Sequence, residues 1–585
     1  MSAPGQKDKF TPELRILVAS LLSFGVIILW AKFFGPKPPV QPTQANRPAQ
    51  TAPATPGPAT SPAANASHAT AVPATIAPAT ATSVTVKNDS QERTIVVENS
   101  LYRVEISNHG AVVKSWQLKH YKDDAKPQRV LDVVHPDASQ QTGGWPFSVV
   151  LDDEQLQNAA NDGLYQLSSP ATPLQAPADV EFTWSDGHLE VTKHFRFDHT
   201  YVVRVETSAK LNGSPITAGL GWLGGFGDLT VTNPAPVETV STFYSEGGKV
   251  STFLHKKLDG LEKWGPGLWQ GGKEFVGIED RYFAATFLPA SGATSNALET
   301  RYWKASRTVK VDGQDALEPV PQVAAATTAQ PLTLRVYVGP KDYDDLKKMS
   351  PPLHGLINFG WLEFIAEPLF HGLKWLHNYV PNWGWAIVVL TLVINMLLFP
   401  LRISSYKTTL KMQRVAPEIK AIQDKYKKYS MRDPRKAEMN KEVMAIYSRE
   451  GINPVGGCFQ MFLQMPVWFG LNTALRYSIE MRQATWLWVL DLSAKDPYYI
   501  LPVLMGASMY LVSKMTPMTS TDPQQQMMMK IMPITMAGIF MISPISSGLA
   551  VYILTSSMVG IVQQWYLNRT HPVAAPAKPV RGKKS

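Results

Sequence analysis

Hydrophobic positions change their spacing several times along this chain of 585 residues, and each change predicts a different element. Residues 16–34, "ILVASLLSFGVIILWAKFF", are apolar almost throughout. The run is close to the roughly 20 residues that cross a bilayer. Lys7, Lys9 and Arg15 precede it, and Trp30, Phe33 and Phe34 suit an interfacial belt. A signal peptide is the rival reading, but no A-x-A cleavage site follows closely, which favours an uncleaved anchor in segment 1–35. Residues 36–84 lose all periodicity. They are rich in Pro, Ala and Thr, a composition that cannot bury enough apolar surface to fold and reads as an extended linker.

From residue 85 to 345 the period becomes two. "SLYRVEIS" sets Leu101 and Tyr102, Val104 and Ile106 against Arg103 and Glu105. "PLTLRVYV" sets Leu332, Leu334, Val336 and Val338 against Thr333, Arg335 and Tyr337, and "SDGHLEV" places a turn before another strand. Such runs between Gly, Asn and Asp turns predict an antiparallel β-sandwich. Segment 346–380 turns helical. Ile365, Leu369, Leu373 and Leu376 share one face, and Glu363, Glu367 and Lys374 the other. This predicts an amphipathic helix, either lying in a membrane interface or packed on the β domain.

Segment 381–568 holds five further apolar runs, at about 383–401, 456–477, 498–513, 527–543 and 546–567. With the first run they make six membrane spans. Between the first two of these five, 403–452 predicts a helical hairpin. Asp433 and Pro434 are a good N-cap and N1 pair, and Gly451 a good stop.

Charge then orients the spans. Residues 402–450 carry 13 Lys and Arg against 6 Asp and Glu, whereas 477–498 carry 2 against 3. Basic loops stay in the cytoplasm, so the hairpin and both termini are expected inside and the β domain outside. The hairpin's surplus charge is either plainly solvated or meets anionic lipid or RNA phosphate, and the tail 569–585 adds Arg569, Lys578, Arg581, Lys583 and Lys584 with no acid. A single cysteine, Cys458, precludes an intrachain disulfide. "GLWQGGK" (267–273) is followed by Glu274 where a P-loop needs Ser or Thr, so it reads as a β-domain loop. No H-E-x-x-H, G-x-S-x-G or spaced Cys/His cluster occurs. No cofactor and no small-molecule substrate is expected, and the chain does not read as an enzyme.

The candidate chemistry lies in polar residues within apolar runs. In "TLVINMLLFPLRISS" (391–405), Thr391, Asn395 and Arg402 fall on one helix face, because seven residues bring the helix back to within about 20°. Counted from Ala386 at about 1.5 Å per residue, Asn395 is about 14 Å deep and Arg402 about 24 Å. Gln460 and Gln464 are one turn apart in the next run, and Tyr552, Thr555, Ser556 and Gln563 fall near one side of the last. Three polar stripes point to a shared wet cavity. Two plainer readings stay open: Asn395 bonding a neighbouring helix, and Arg402 snorkelling to headgroups. A proton or ion path would need intramembrane acids, and none occurs in the six runs, which argues against a transporter. Met461, Met465, Met505, Met509, Met527 to Met529, Met532, Met536 and Met541 crowd the later runs, as ordinary packing or as a surface for many apolar sequences.

"NPVGGCFQMFLQMPVW" (453–468), "DLSAKDPYYILPVLMG" (491–506) and "TDPQQQMMMKIMP" (521–533), with the overall layout, closely resemble the YidC membrane protein insertase family in its Gram-negative form. The resemblance implies an α+β multidomain inner-membrane protein: a periplasmic antiparallel β-sandwich, a six-helix all-α membrane core and a cytoplasmic helical hairpin. It implies a hydrophilic inner-leaflet groove that receives nascent membrane proteins without a nucleotide, and work with the Sec translocon, ribosomes and membrane lipids. The groove would be lined by Thr391, Asn395, Arg402, Gln460, Gln464, Tyr552 and Thr555. The ribosome would be met by Arg569, Lys578, Arg581, Lys583 and Lys584. The family's groove arginine precedes the F-P-L of this span. Here that position holds Asn395, and the arginine is Arg402, two turns on. Tyr552 falls at a Tyr-Tyr pair of the family whose second member is Ile553 here. Beside an insertase and chaperone, the residues leave two alternatives: a channel or transporter, and a membrane-held carbohydrate-binding protein.

Overall fold

The structure, a computed structural model, describes residues 85–571 apart from 169–171, 229, 231–239, 255–268, 294–296, 312–313, 430–432, 453–458, 518–522 and 544. The expected anchor at 16–34, the linker at 36–84 and the tail beyond His571 lie outside the described residues.

The alternating segments fold into three sheets of five, ten and five strands, joined almost wholly by antiparallel pairs. The exception is the parallel pair of Thr94–Glu98 with Leu174–Gln175. Tyr102, Val104 and Ile106 point into the core as their spacing requires, with Arg103 and Glu105 half-buried. The sheets share one core. Trp116 of the first lies 6.2 Å from Phe147 of the third, which lies 5.6 Å from Phe195 of the second. Tyr337 departs from the expected alternation. It sits on the nominally polar face of Leu332–Pro340 yet is fully buried, because its ring packs 6.1 Å from Tyr201 and its hydroxyl donates to the Pro340 carbonyl. Gln270–Lys273, expected as loop, is a short strand paired with Leu298–Val311. Two short helices, α1 (Pro136–Thr142) and α2 (Glu154–Asp162), flank the sheets.

The rest is helical. α3 (Tyr343–Lys348) and α4 (Glu363–His377) lead from the sheets into α5 (Trp383–Lys425), α6 (Arg435–Arg449), α7 (Phe459–Tyr477), α8 (Ile500–Met515), α9 (Pro523–Ile542) and α10 (Ser547–Thr570). Five of these cover the five apolar runs. Among the described residues α5 alone is a helix both long and apolar enough to cross a membrane by length and composition.

Two elements differ from expectation. The span and the first arm of the hairpin are one helix of 43 residues, α5, which runs through Pro400 and Pro417. A proline removes one ladder bond but leaves the neighbouring bonds to hold the axis. The hairpin closes where Val415 and Ile419 of α5 meet Ile446 of α6, with Arg449 on Glu418 at 2.7 Å and Lys425 on Glu442 at 2.9 Å. Asp433 and Pro434, expected as N-cap and N1, lie one position earlier than that: α6 begins at Arg435 with Pro434 at its N-cap, and Asp433 accepts from the Arg435 amide at 3.0 Å, while Gly451 follows the end of α6 at φ +60°.

In α4 the buried positions are Ala366, Phe370 and Leu373, while Ile365, Leu369 and Leu376 are half-buried. The helix is rotated off its apolar stripe because Tyr343 and Phe359 press on Phe370, with ring centroids 5.8 and 5.7 Å away. Its polar face is engaged too. Tyr343 donates to Glu367 at 2.6 Å, and Lys374 meets Asp344 at 2.6 Å and Glu480 at 2.9 Å. Burial works against the Lys374 charge, but Glu480 and Asp344 outweigh it and hold the ammonium above its ordinary range.

One buried cation anchors the β core. Lys193, on Leu189–Phe197, has no exposed surface, and its Nζ donates to the carbonyls of Gly110, Ala111 and Phe147 at 2.7, 3.1 and 2.8 Å. Three acceptors match the three donors of an ammonium. Burial nonetheless pushes its pKa from 10.5 down to about 7. The unfolded chain therefore holds this proton more tightly than the folded one between those values. Stability should rise with pH across that window, and the penalty of charging should be complete below it. Thermal unfolding followed from pH 6.5 to 10 should show this rise, and Lys193→Met should flatten it while lowering stability overall, since three buried carbonyls lose their donor.

Candidate functional site

The polar residues of the apolar helices meet along α10. At positions 552, 556 and 563 its side chains return to one face within about 40°. Each finds a partner on another helix. Gln464 of α7 donates to the Tyr552 hydroxyl at 2.6 Å. Asn395 of α5 and Ser556 are mutual partners at 3.3 and 3.4 Å, and the same amide returns a bond to the Thr391 carbonyl at 2.9 Å. Two turns on, Arg402 Nη1 donates to Gln563 Oε1 at 2.8 Å, and Nη2 to the Gly560 carbonyl at 3.3 Å. Gln563 Nε2 also donates to the Asn395 carbonyl at 3.3 Å, so it bridges the two polar groups of α5. Gly560 leaves its carbonyl open to the guanidinium; a Cβ there would lie 3.4 Å from both Nη atoms.

The seam continues past Arg402. Tyr406 donates to Asn568 Oδ1 at 2.8 Å, Gln564 donates to the same oxygen at 3.0 Å, and Asn568 Nδ2 donates to the Met515 carbonyl at the end of α8, at 3.1 Å. Tyr406, Gly560, Gln564 and Asn568 were absent from the expected set. Their signal was available: Tyr406 follows Arg402 by four residues, and Asn568 follows Gln564 by four.

The expected residues thus divide. Asn395, Arg402, Gln464 and Tyr552 are brought together on α10. Thr391 is fully buried but spends its hydroxyl on its own helix, at the Ile387 carbonyl, 2.6 Å away. Thr555 is half-buried beside the seam. Gln460 lies in α7, but its side chain is outside the described set, as are Lys578, Arg581, Lys583 and Lys584. Arg569 is exposed on the last turn of α10, stacked 4.8 Å from the Trp565 ring. Among the described residues, members of the three stripes hydrogen-bond one another across the helices, as polar groups in hydrocarbon do when they satisfy each other.

Away from the seam the helices are apolar and open. Met396, Leu397, Met558 and Val562 are more than half exposed. Of the methionines, Met505 is buried, while Met465, Met527, Met532 and Met541 are exposed, so the group serves both packing and outer surface. Among the described residues no carboxylate lies within ion-pair distance of Arg402, which bonds a neutral amide and a backbone carbonyl.

Lipid-facing helices joined by an internal polar seam and carrying a β-rich domain define a membrane-embedded protein of mixed architecture. The comparisons say which. Residues 375–574 match the family model of the 60Kd inner membrane protein, and residues 94–372 that of the YidC periplasmic domain. The membrane protein insertase YidC of Citrifermentans bemidjiense is 34% identical over 565 residues, covering 95% of this chain and 99% of its own. That of Syntrophus aciditrophicus is 31% identical over 507 residues, covering 83% and 87%. A solved structure described as an active YidC insertase with its first transmembrane domain resolved aligns over 83% of this chain and 95% of that one, at 17% identity and a TM-score of 0.35. The chain belongs to the YidC family of inner-membrane protein insertases. It is an insertase rather than an enzyme of bond chemistry, and its substrates are nascent membrane proteins.

The Gln464–Tyr552 bond joins α7 to α10 and is expected to couple them energetically. Tyr552→Phe and Gln464→Leu should each lower stability by about 1 kcal/mol, and the double variant should lose less than their sum. Unfolding in mixed micelles measures the cycle; strict additivity would deny the bond any weight.

Proposed function

We propose that nascent segments enter along the seam of α5, α7 and α10, with Arg402 receiving the client's polar flank on the cytoplasmic side. The observation that carries this is the guanidinium's company: a cation within apolar helices, bonded to an amide and a carbonyl, with no carboxylate partner among the described residues. Charges at such depth are ordinarily paired. A client's acidic residue supplies the missing anion. Interhelical hydrogen bonds in membranes average about 0.6 kcal/mol, so the seam can exchange its partners for a client's and close again. The exposed apolar flanks of α5 and α10 then offer the hydrophobic segment a way into lipid.

In this reading the chain has six spans, with the hairpin of α5 and α6 and both termini in the cytoplasm and the β domain in the periplasm. The 13 to 6 excess of basic over acidic residues at 402–450 supports that orientation. The basic tail suits ribosomal RNA phosphates, and such contact would weaken steeply with salt. Cooperation with the Sec translocon rests on the family resemblance. A thiol placed at position 430 should react only with reagents that reach the cytoplasm; labelling from the periplasmic side would reverse the orientation.

Arg402→Ala should slow insertion several-fold for a client with acidic residues beside its hydrophobic segment, and less for a neutral one. Arg402→Lys should be milder, because attraction needs the charge more than the fork geometry. Equal insertion of both clients by Arg402→Ala and the unaltered protein would reduce the seam to helix packing.

A further inference from the structure

Beyond Arg402, one side chain joins three helices. Asn568 of α10 accepts from the Tyr406 hydroxyl of α5 at 2.8 Å and from Gln564 of its own helix at 3.0 Å. It donates to the Met515 carbonyl of α8 at 3.1 Å. A side-chain amide has two donors and an oxygen with two lone pairs, so both lone pairs and one donor are engaged here. Tyr406 and Gln564 are buried, and Tyr406 lies in a small apolar cluster with Leu410 and Leu567. The two bonds to Oδ1 therefore come from fixed groups, and they turn Nδ2 toward α8. Met515 is the last residue of α8, where the backbone ladder leaves carbonyls without a partner inside the helix.

This node governs a place one turn away. Arg402 precedes Tyr406 by one turn of α5 and is half-buried. Its guanidinium rests on Gly560, and Val512 of α8, three residues before Met515, reaches the same spot. A Cβ on Gly560 would lie 3.4 Å from both Nη atoms and 3.7 Å from Val512 Cγ2. The end of α8 thus stands beside the guanidinium as an apolar wall.

Such a wall changes what the charge can do. Attraction between opposite charges weakens as water reaches them, and salt then screens what is left. With Val512 in place, Arg402 is partly withdrawn from water; with α8 displaced, that shelter is gone. Hydrogen bonds between membrane helices are individually weak, so losing the bond to Met515 is enough to loosen the end of α8.

We propose that Asn568, oriented by Tyr406 and Gln564, is a positioning residue that sets client specificity. It holds the end of α8 against α10, so that Val512 keeps water from Arg402 and sharpens its preference for clients with acidic residues beside their hydrophobic segment. Asn568 acts through Arg402 and does not touch the client. The inference rests on Arg402 being the group that meets the client's polar flank.

The test joins a distance measurement to an insertion assay, both on the full chain in bilayers. Spin labels go on Lys514→Cys of α8 and Val562→Cys of α10, both exposed, with Cys458→Ser removing the single native thiol. Insertion is followed on unlabelled chains with two clients that differ only in acidic residues beside the hydrophobic segment. Asn568→Leu should shift or broaden the 514–562 distance distribution. It should also lower the preference for the acidic client several-fold and make the remainder fall more steeply with salt, while insertion of the neutral client stays nearly unaltered. Tyr406→Phe should act in the same direction but more mildly, because Gln564 still holds the amide. Val512→Ala should lower the preference with the distance unchanged, since it thins the wall and leaves the node intact. Should Asn568→Leu fail to accumulate, Tyr406→Phe is read in its place. An unchanged 514–562 distribution overturns the hold on α8. A changed distribution with the acidic preference and its salt dependence intact overturns the inference, and leaves the seam reading standing if Arg402→Ala still removes that preference. If Arg402→Ala leaves the preference intact as well, the seam reading fails with it.

Discussion

Arg402 lies in a helix whose neighbouring surface is hydrocarbon-facing, and its stability there depends on the Gln563 oxygen 2.8 Å away. Hydrocarbon offers no hydrogen bonds, so every polar side chain of these helices must find a partner inside the protein. The arrangement of the core follows from that constraint. α10 presents a polar face to α5 and α7, and α5, α7 and α8 are each tied to α10 by at least one hydrogen bond. Bonds of this kind are individually weak, which suits the exchange of partners proposed for the seam.

The β domain has an aromatic core and a triply bonded Lys193, and it packs directly on the helices. Its core runs on into α4 and the end of α7, and buried charges of opposite sign face each other at the junction. This chain of an insertase family thus combines a β-rich body with a helix bundle joined by interhelical hydrogen bonds.

Small residues set how closely the parts approach. A Cβ on Gly384 would meet Trp486 at 2.2 Å, and one on Gly470 would meet Ile365 at 2.9 Å. The first lets the tryptophan of the loop after α7 press on the start of α5; the second lets α7 lie against α4. Close backbone approach of this kind is a main source of helix association in lipid, where no hydrophobic drive separates one apolar surface from another.

What the sequence determined by itself was whatever depends on local period and charge. The alternation at Tyr102, Val104 and Ile106, the apolar runs, the stop at Gly451 and the shared face of Asn395 and Arg402 all follow from spacing along one chain. The family was legible too, because its motifs lie in continuous stretches. What only the tertiary structure decided were the partners. Nothing in the spacing of Asn395 says that it meets Ser556, 161 residues away, or that Arg482 meets Asp228 across 254 residues. Nor could it show that α4 turns off its apolar stripe to meet Tyr343, or that Tyr337 is drawn inside by Tyr201. A pattern along the chain records which groups share a face; which face they are pressed against depends on residues distant in sequence, and so it emerges only when the sheets and helices close on one another.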